Sequence, residues 1–258
     1  MADIIESDLR EGVLHVRLNR PEKLNAINDA IVDGLLSVTE RGRRDAGVGA
    51  VVLSGRGRAF SAGGDIQAME AMDEDCFRKT ISRYMRLAHA FQSLPKPIIA
   101  ALHGHVLAGG LELAVISDLR IAAEGTVLGL PDARLGLSPT SGMTWLLPRI
   151  VGLGRALQLA LSGETITAEE ARSIGLVAKV VRAESLIEEA HELAKAIADC
   201  PKVGVGATKA LFYRGLAGDF ATATASEEEA ELDCFRNPET RQRFQAFIAR
   251  KKTQSPAK

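Results

Sequence analysis

The sequence predicts an α/β core followed by a helical C-terminal region. Two observations support this fold class. Short apolar segments typical of strands alternate with helical patterns in the earlier part of the chain, and helical patterns dominate from about Thr167. With 258 residues and 46% hydrophobic content, the chain can bury a large core. We expect residues 1–195 to form the α/β core and residues 196–258 to form the helical region.

The predicted strands follow from apolar periodicity. Leu14, Val16 and Leu18 alternate with polar residues in VLHVRLNRP, which predicts a strand paired in a hairpin with DIIESDL. Shorter apolar segments predict further strands, several of them fit for burial in a sheet. These segments are VGAVVLSG, KPIIAAL, LRIAAE, TVLGL and LVAKVV.

The predicted helices carry apolar residues at helical spacing. The first is NAINDAIVDGLLSVTERGRRD, with Asn28 as its N-cap, and the second is CFRKTISRYMRLAHAFQSL, which ends before Pro95. A third, LELAVISD, begins directly after a glycine-rich loop. The later helical segments are TAEEARSIG, ESLIEEAHELAKAIADC, VGVGATKALFYRGL, ATASEEEAELDCF and PETRQRFQAFIARKK.

Composition and charge exclude several classes of function. Lys and Arg total 32 and Asp and Glu total 33, so no basic excess indicates a nucleic acid or an anionic membrane surface as partner. No apolar run approaches the ~18 residues of a membrane span, and the N-terminus lacks the order of a signal peptide. The three cysteines are far apart and form no C-x-x-C pair, which is typical of reduced thiols in a cytoplasmic protein.

Two glycine-rich loops follow predicted strands. The first is GRGRAFSAGGD, Gly55 to Asp65, and the second lies in HGHVLAGGLELAVISD, where Ala108, Gly109 and Gly110 precede a helix. Closely spaced glycines allow backbone to approach a partner, and free N–H groups at a helix start suit an anion or a developing oxyanion. The alternative is a packing turn, which is common in α/β folds. Neither loop has the spacing of a dinucleotide-binding or P-loop motif.

Two carboxylates lie near these loops. Glu112 is on the first turn of the helix after Gly109, between two leucines, and Asp132 follows a proline in GLPDARLG. An apolar setting raises a carboxyl pKa, which suits general acid–base work. The alternatives are a carboxylate that complements the helix dipole and an aspartate that makes a turn. His103 and His105 do not indicate a metal site, because two histidines two residues apart have no acid or cysteine nearby to complete a ligand set.

Three motifs in order, AFSAGGDI, HGHVLAGGLELAVISDLRIAAE and LGLPDARLGLSPTSGMTWLLPRIVG, resemble the enoyl-CoA hydratase/isomerase (crotonase) superfamily. The resemblance runs nearly end to end. It implies a crotonase-like spiral of ββα units with a helical C-terminal trimerisation region, and a homo-oligomer that is a trimer or a dimer of trimers. It implies an acyl-CoA thioester as substrate and no metal or redox cofactor, because coenzyme A enters as part of the substrate.

The resemblance also implies roles for individual residues. Ala62 and Gly109 match the two N–H donors of an oxyanion hole, and Glu112 matches the first catalytic glutamate of the hydratases. Asp132 stands where those enzymes have their second glutamate. The backbone implied to bind the CoA thioester comprises Ala62, Gly63, Gly64, Asp65, Ile66 and Gly109.

The function implied is an enoyl-CoA hydratase, which adds water across the C2=C3 double bond of a 2-enoyl-CoA to give 3-hydroxyacyl-CoA, with Glu112 as base and Asp132 as acid. The aspartate side chain is shorter than that of glutamate by about 1 Å, so its carboxyl group would fall short of the reacting atoms. An ion pair with Arg134 would also engage the Asp132 carboxylate. Enoyl-CoA isomerases of the superfamily have an acid at the position that Thr140 occupies in this sequence. The lack of an acid at this position favours hydration over isomerisation. The alternatives left open are isomerisation or another crotonase-type reaction, and a non-catalytic acyl-CoA-binding protein.

Two expectations concern the surface. Phe244, Phe247 and Ile248 fall at helical spacing near the C-terminus, more apolar surface than a lone terminal helix should expose, which favours a trimer or hexamer. Basic residues are expected near the CoA phosphates. These are Lys23, Arg56 and Arg58, together with the IARKK segment of a neighbouring subunit.

Overall fold

The computed structural model describes residues 3–254, with side chains to residue 250. This part of the chain contains nine strands and eleven α-helices. The strands are β1 (Ile5–Arg10), β2 (Val13–Leu18), β3 (Ala50–Gly55), β4 (Ile98–Leu102), β5 (His105–Leu107), β6 (Leu119–Ala123), β7 (Val127–Gly129), β8 (Thr165–Thr167) and β9 (Lys179–Val181). The helices are α1 (Asp29–Arg44), α2 (Ile66–Glu70), α3 (Glu74–Ser93), α4 (Gly109–Ile116), α5 (Met143–Val151), α6 (Leu153–Ser162), α7 (Ala168–Ser173), α8 (Leu186–Ala198), α9 (Lys202–Gly215), α10 (Phe220–Arg236) and α11 (Pro238–Gln254).

The strands form two sheets. The larger has the order β1-β2-β3-β4-β6-β9, in which β1 and β2 are antiparallel and the remaining pairs are parallel. The smaller has the order β5-β7-β8. The chain alternates between the two sheets. Strand β4 lies in the larger sheet, β5 lies in the smaller sheet, and helix α4 follows. The next two strands repeat this order, with β6 in the larger sheet and β7 in the smaller. This succession confirms the spiral of ββα units that the sequence implies.

Hydrophobic side chains cover both faces of the larger sheet. Leu14, Val16 and Leu18 of β2 point into the main core, as their alternation predicts, and this core also receives α1, α3 and α4. Val13 points to the opposite face, where α8 covers the sheet. The β1–β2 hairpin and the five other predicted strands are all present.

Local signals placed the long helices correctly. The Asn28 side chain accepts the N–H of Ile31 at 3.0 Å, which caps α1, and α3 ends at Ser93, ahead of Pro95. The sequence did not predict β5 and β8, because a strand of three residues offers too few positions for a periodic pattern. It also did not predict α5 and α6.

The predicted boundary at residue 195 is wrong, because it falls inside α8, which packs on the larger sheet down to Ala198. The next helix, α9, is also attached to the core. Its buried Lys209 forms an ion pair with Asp118 at 2.7 Å, and the Tyr213 hydroxyl donates to the same carboxylate at 3.0 Å. The burial of Lys209 lowers its pKa, which the charge of Asp118 opposes. By contrast, α10 has no buried residue and packs against α9 and α11 instead of against the sheets.

The last two helices expose many apolar side chains. No residue of α10 is buried, and α11 exposes the three residues that the sequence singled out. The large exposed apolar side chains of α10 and α11 are Phe220, Leu232, Phe235, Phe244, Phe247 and Ile248, and Phe212 of α9 and Leu216 just after it are also exposed. Between residues 3 and 254, no helix combines the length and the apolar character needed to cross a membrane.

Candidate active site

The first glycine loop, residues 55–65, is fixed by a buried asparagine and an ion pair. Asn25 is fully buried and its amide donates to two carbonyl oxygens of the segment after β3, at 2.9 and 2.8 Å. The guanidinium of Arg20 pairs with Asp65 at 2.6 Å and holds the pKa of that carboxyl below its usual range. Asp65 also accepts the Ala68 N–H and so caps α2. Its side chain therefore supports the loop instead of facing a ligand.

The two glycine loops lie against each other, which explains their composition. A Cβ atom on Gly63 would lie 2.8 Å from the Cβ of Ala108, and Gly63 has a φ of +104° that L side chains rarely adopt. A Cβ atom on Gly110 would lie only 2.4 Å from the carbonyl oxygen of Ser61. Any side chain at either position would push the loops apart. The glycines therefore serve the close approach of one backbone to the other.

The hydrogen bonds correct one predicted donor. The N–H of Ala62 donates to the carbonyl oxygen of Leu24 at 3.0 Å, so the expectation that it serves the oxyanion hole is wrong. Among residues 3–254, the N–H groups of Gly64 and Gly109 have no acceptor. Gly109 is the first residue of α4 and lacks an intrahelical partner. A Cβ atom on Gly109 would lie 3.6 Å from the Gly64 nitrogen, so the two donors are neighbours.

An unusual backbone conformation precedes α4. Ala108 has a φ of +47° and a ψ of −124°, which a residue with a side chain adopts only when its surroundings require it. Its N–H donates to the carbonyl oxygen of Gly129 at 3.0 Å, which ties the bend to β7. This bend turns the chain directly from β5 into α4. The free N–H of Gly109 and the positive end of the helix dipole therefore meet at the same place.

Glu112 lies one turn along α4 and is almost completely buried, with 3% of its surface exposed. Its Oε1 accepts the Thr140 N–H at 2.5 Å, and its Oε2 accepts the hydroxyls of Thr140 at 2.6 Å and Ser141 at 3.0 Å. Burial raises the pKa of Glu112, these donors oppose the rise, and the nearby Asp132 adds to it. Glu112 is thus a buried carboxylate held entirely by hydrogen-bond donors.

Asp132 lies in the 3-10 helix Pro131–Leu135. Within the described part of the chain, its Oδ2 is buried and has no hydrogen-bond partner, and burial raises the pKa of this carboxyl. The ion pair with Arg134 considered from the sequence is not formed. The Arg134 guanidinium instead donates to the carbonyl oxygen of Ser162 at 3.0 Å. Asp132 therefore has the environment that favours a protonated acid.

One cleft of about 570 Å³, including its open mouth, brings the predicted chemistry together. Gly64, Gly109, Glu112 and Asp132 all line it. Its apolar lining is formed by Ile66, Met69, Phe77, Ile81, Tyr84, Leu135 and Leu137. A second, apolar pocket adjoins it, since Tyr84, Gly109 and Glu112 line both. Of the backbone predicted to bind the thioester, Gly64, Ile66 and Gly109 line the cleft, whereas Ala62, Gly63 and Asp65 do not.

Other predicted residues are placed as follows. Lys23 donates to a side-chain amide oxygen of α2 at 2.8 Å, Arg56 pairs with a carboxylate of β1 at 2.5 Å, and Arg58 is exposed. The side chains of Lys251 and Lys252 lie outside the described residues.

The two histidines of the second loop are not drawn together as ligands. The His103 ring lies 3.1 Å from the carbonyl oxygen of Gly57, and His105 is exposed. In the region from residue 3 to 254, no three His, Cys, Asp or Glu side chains are grouped so as to hold a metal ion.

Sequence reasoning missed the residues that hold the site in place. Thr140 was identified only as a position without an acid and Ser141 was not singled out, although together they supply three hydrogen bonds to Glu112. Two successive hydroxyl residues before an apolar helical segment were the available signal. The Arg20–Asp65 pair gave no signal, because its members are 45 residues apart.

Comparisons with known proteins agree with this geometry. The family model described as enoyl-CoA hydratase/isomerase matches residues 8–255. A short-chain-enoyl-CoA hydratase from Clostridium acetobutylicum is 38% identical over 245 residues, which are 94% of each chain. A 1,2-epoxyphenylacetyl-CoA isomerase from Escherichia coli is 32% identical over 262 residues, 100% of each chain. The crystal structure of an enoyl-CoA hydratase from Bacillus anthracis superposes with a TM-score of 0.92 at 32% identity and covers 98% of each chain.

These matches extend over the core, both glycine loops and the C-terminal helices. The chain belongs to the enoyl-CoA hydratase/isomerase family.

Proposed function

We propose that this protein is an enoyl-CoA hydratase, which adds water across the C2=C3 double bond of a 2-enoyl-CoA thioester to give 3-hydroxyacyl-CoA. One observation carries the proposal: two unpaired peptide N–H groups and two carboxyl groups line a single cleft. The hydratases among the related proteins support it. The apolar lining of the cleft and of the adjoining pocket matches the hydrocarbon character of an acyl chain.

The two N–H groups would bind the thioester oxygen. As water attacks C3, electrons move from the double bond toward this oxygen, which becomes negatively charged. The N–H groups of Gly64 and Gly109 are neighbours and can both donate to one oxygen atom. One such donor is worth roughly 3 kcal/mol of transition-state stabilisation. The positive end of the α4 dipole adds to this effect.

The two carboxyl groups would divide the proton transfers. Glu112 accepts three hydrogen bonds, which favour its ionised form, so it removes a proton from water. The oxygen of that water forms a bond to C3. Asp132 has a buried oxygen without a donor, which favours its protonated form, so it delivers a proton to C2. One water is consumed, and the proton gained by Glu112 passes back to Asp132 through solvent before the next cycle.

This chemistry needs only peptide N–H groups and carboxyl groups. We therefore expect no separate cofactor, with coenzyme A present only as part of the substrate, and undiminished turnover in the presence of a chelator. The test is to incubate the protein with 2-enoyl-CoA thioesters of several chain lengths. Hydration removes the conjugated absorbance and yields a product heavier by one water. If no chain length is turned over, the proposal is wrong.

A second candidate is double-bond isomerisation or another crotonase-type reaction. Two observations favour keeping it: the related isomerase from Escherichia coli covers the whole chain, and Asp132 is shorter than the glutamate expected of a hydratase. A 3-enoyl-CoA would then gain conjugated absorbance without a change in mass. Binding of the thioesters without turnover would instead indicate a non-catalytic acyl-CoA-binding protein, which the retention of Glu112 disfavours.

We also propose that the protein is a homo-oligomer, a trimer or a dimer of trimers. The apolar side chains on α9, α10 and α11 support this, because so many large exposed apolar side chains are typical of an interface. Phe220 is 85% exposed and Phe235 is 48% exposed. Sedimentation should show a trimer or hexamer at micromolar concentration, and a stable monomer there would contradict the proposal.

A further inference from the structure

The loop that leads into α5 supplies all three hydrogen bonds given above for Glu112. Thr140 donates through both its N–H and its hydroxyl, and Ser141 donates through its hydroxyl. A carboxylate has about four lone-pair positions. One position therefore remains, on Oε1, which accepts only the Thr140 N–H. The loop leaves Glu112 able to accept one further hydrogen bond, which is what the attack of a single water requires.

The backbone of this loop is shaped to aim the second hydroxyl. Ser141 is buried, with 6% of its surface exposed, and has a φ of +54°, in the left-handed region. Gly142 follows with a φ of +76°, so two successive residues are left-handed. Serine adopts this conformation only when its surroundings require it. Here the conformation directs the Ser141 hydroxyl to Oε2 of Glu112 at 3.0 Å.

We propose that the hydroxyl groups of Thr140 and Ser141 are positioning groups that fix the orientation of the Glu112 carboxylate and keep it ionised for the reaction. This inference rests on the proposed role of Glu112 as base. Every donor to a carboxylate stabilises its charged form. No cation pairs with Glu112 among residues 3–250, so these donors and the α4 dipole are what oppose the effect of its burial.

Two other titratable groups face Glu112. Asp132 approaches from the 3-10 helix, and its charge raises the pKa of Glu112. Tyr84 approaches from α3, and burial raises its pKa, so it stays neutral. Neither group favours the ionised glutamate. Loss of a donor from the loop is therefore not compensated nearby.

The competing explanation is purely structural, in which the hydroxyls only attach the loop to α4. The two explanations differ in their effect on proton affinity. A structural role predicts lower stability with an unchanged pH profile. A positioning role predicts that removing either hydroxyl makes Glu112 bind its proton more tightly, so activity is lost mainly at low pH.

The test compares Thr140→Val and Ser141→Ala with Thr140→Ser, which restores a hydroxyl. Matched controls are Thr39→Val and Ser117→Ala, which remove buried hydroxyls bonded to helix carbonyls away from the cleft. We expect the acid limb of the kcat–pH profile to move upward by about one to two pH units in Thr140→Val and Ser141→Ala. It should stay in place in the controls and return toward the wild type in Thr140→Ser.

A second measurement does not depend on turnover. The carboxyl resonance of Glu112 in protein labelled with carbon-13 glutamate, assigned by its loss in Glu112→Gln, gives the protonation of this group directly. An upward shift of its titration in Thr140→Val and Ser141→Ala supports the inference even if the protein proves not to be a hydratase. A titration that is unchanged in both variants, or that shifts equally in the controls, overturns it.

Discussion

Replacement of Glu112 with glutamine tests the proposed base while preserving the shape of the site. The glutamine oxygen can accept the Thr140 N–H in place of Oε1. Its NH2 group then faces the hydroxyls of Thr140 and Ser141, which can rotate and accept instead of donating. All the present contacts can therefore persist, and what is lost is the ability to take a proton from water.

The expected effect on activity is large and the expected effect on stability is small. Loss of a general base lowers turnover by roughly 10²–10⁴-fold. Glu112 is 3% exposed, and among residues 3–250 it forms no salt bridge, so a neutral amide relieves the burial of an unpaired charge. We therefore expect the melting temperature of Glu112→Gln at neutral pH to equal or exceed that of the wild type.

Three measurements separate these effects. The initial rate with a saturating 2-enoyl-CoA gives kcat, calorimetric titration with the saturated acyl-CoA gives binding, and a thermal melt gives stability. We expect kcat to fall with binding kept within a few-fold, because the oxyanion donors and the apolar lining are unaltered.

Two results would refute the reasoning. A Glu112→Gln enzyme with full turnover would show that this carboxylate is not the base, whatever the superfamily. A variant that loses binding and stability together would show that Glu112 holds the site together instead of reacting. Either result would also remove the basis for assigning Asp132 as the acid that acts with it.

Three further predictions concern other parts of the molecule. Asp132→Asn should lower turnover by roughly 10²–10⁴-fold, whereas Asp132→Glu should keep equal or higher activity because related hydratases are expected to have glutamate here. A drop of about 100-fold in Asp132→Glu, a loss that a 1 Å misplacement can cause, would instead show that the loop is fitted to aspartate. Gly110→Ala would place a Cβ atom 2.4 Å from the Ser61 carbonyl oxygen, so it should separate the loops and lower stability by about 1–3 kcal/mol in chemical denaturation. Gly154→Ala, where nothing lies within 4 Å, is the control and should not destabilise, and equal effects in both would contradict the packing argument. Burial lowers the pKa of His15 from 6.5, and its ring lies 3.0 Å from the buried ring of His191. The folded state then binds fewer protons than the unfolded chain below pH 6.5, so this contribution to stability is present above 6.5 and is lost as the pH falls through the lowered pKa. Between pH 7 and 5 the melting temperature of His15→Gln should fall less steeply than that of the wild type, and an equal slope would count against this account.

Much of the architecture could be predicted from local sequence patterns. Alternation in β2, the Asn28 cap and the stop before Pro95 each depend on neighbouring residues, so their geometry follows from a short segment. Motif order identified the family and brought Gly109, Glu112 and Asp132 to attention. The structure then placed these three residues in one cleft.

The sequence alone misjudged features that depend on distant contacts. The N–H of Ala62 looked available because nothing nearby in sequence opposes it, yet Leu24 accepts it from 38 positions away (62 − 24). The proposed Arg134–Asp132 pair failed for the same reason, since Ser162 competes for the guanidinium. Hydrogen-bond partners at long sequence separation cannot be inferred from spacing.

The sequence by itself determined the fold class, the family and the types of reactive group: backbone donors in glycine loops and two carboxyl groups beside them. These depend on local composition and on motif order. Only the tertiary structure decided which N–H groups remain unpaired among residues 3–254, and which carboxyl group is held by three donors. Glu112 is a buried carboxyl group that accepts hydrogen bonds from the loop at Thr140 and Ser141, whereas the buried Oδ2 of Asp132 has no hydrogen-bond partner in the described residues. Burial raises the proton affinity of any carboxyl group, and only the donors that folding brings to it oppose that rise.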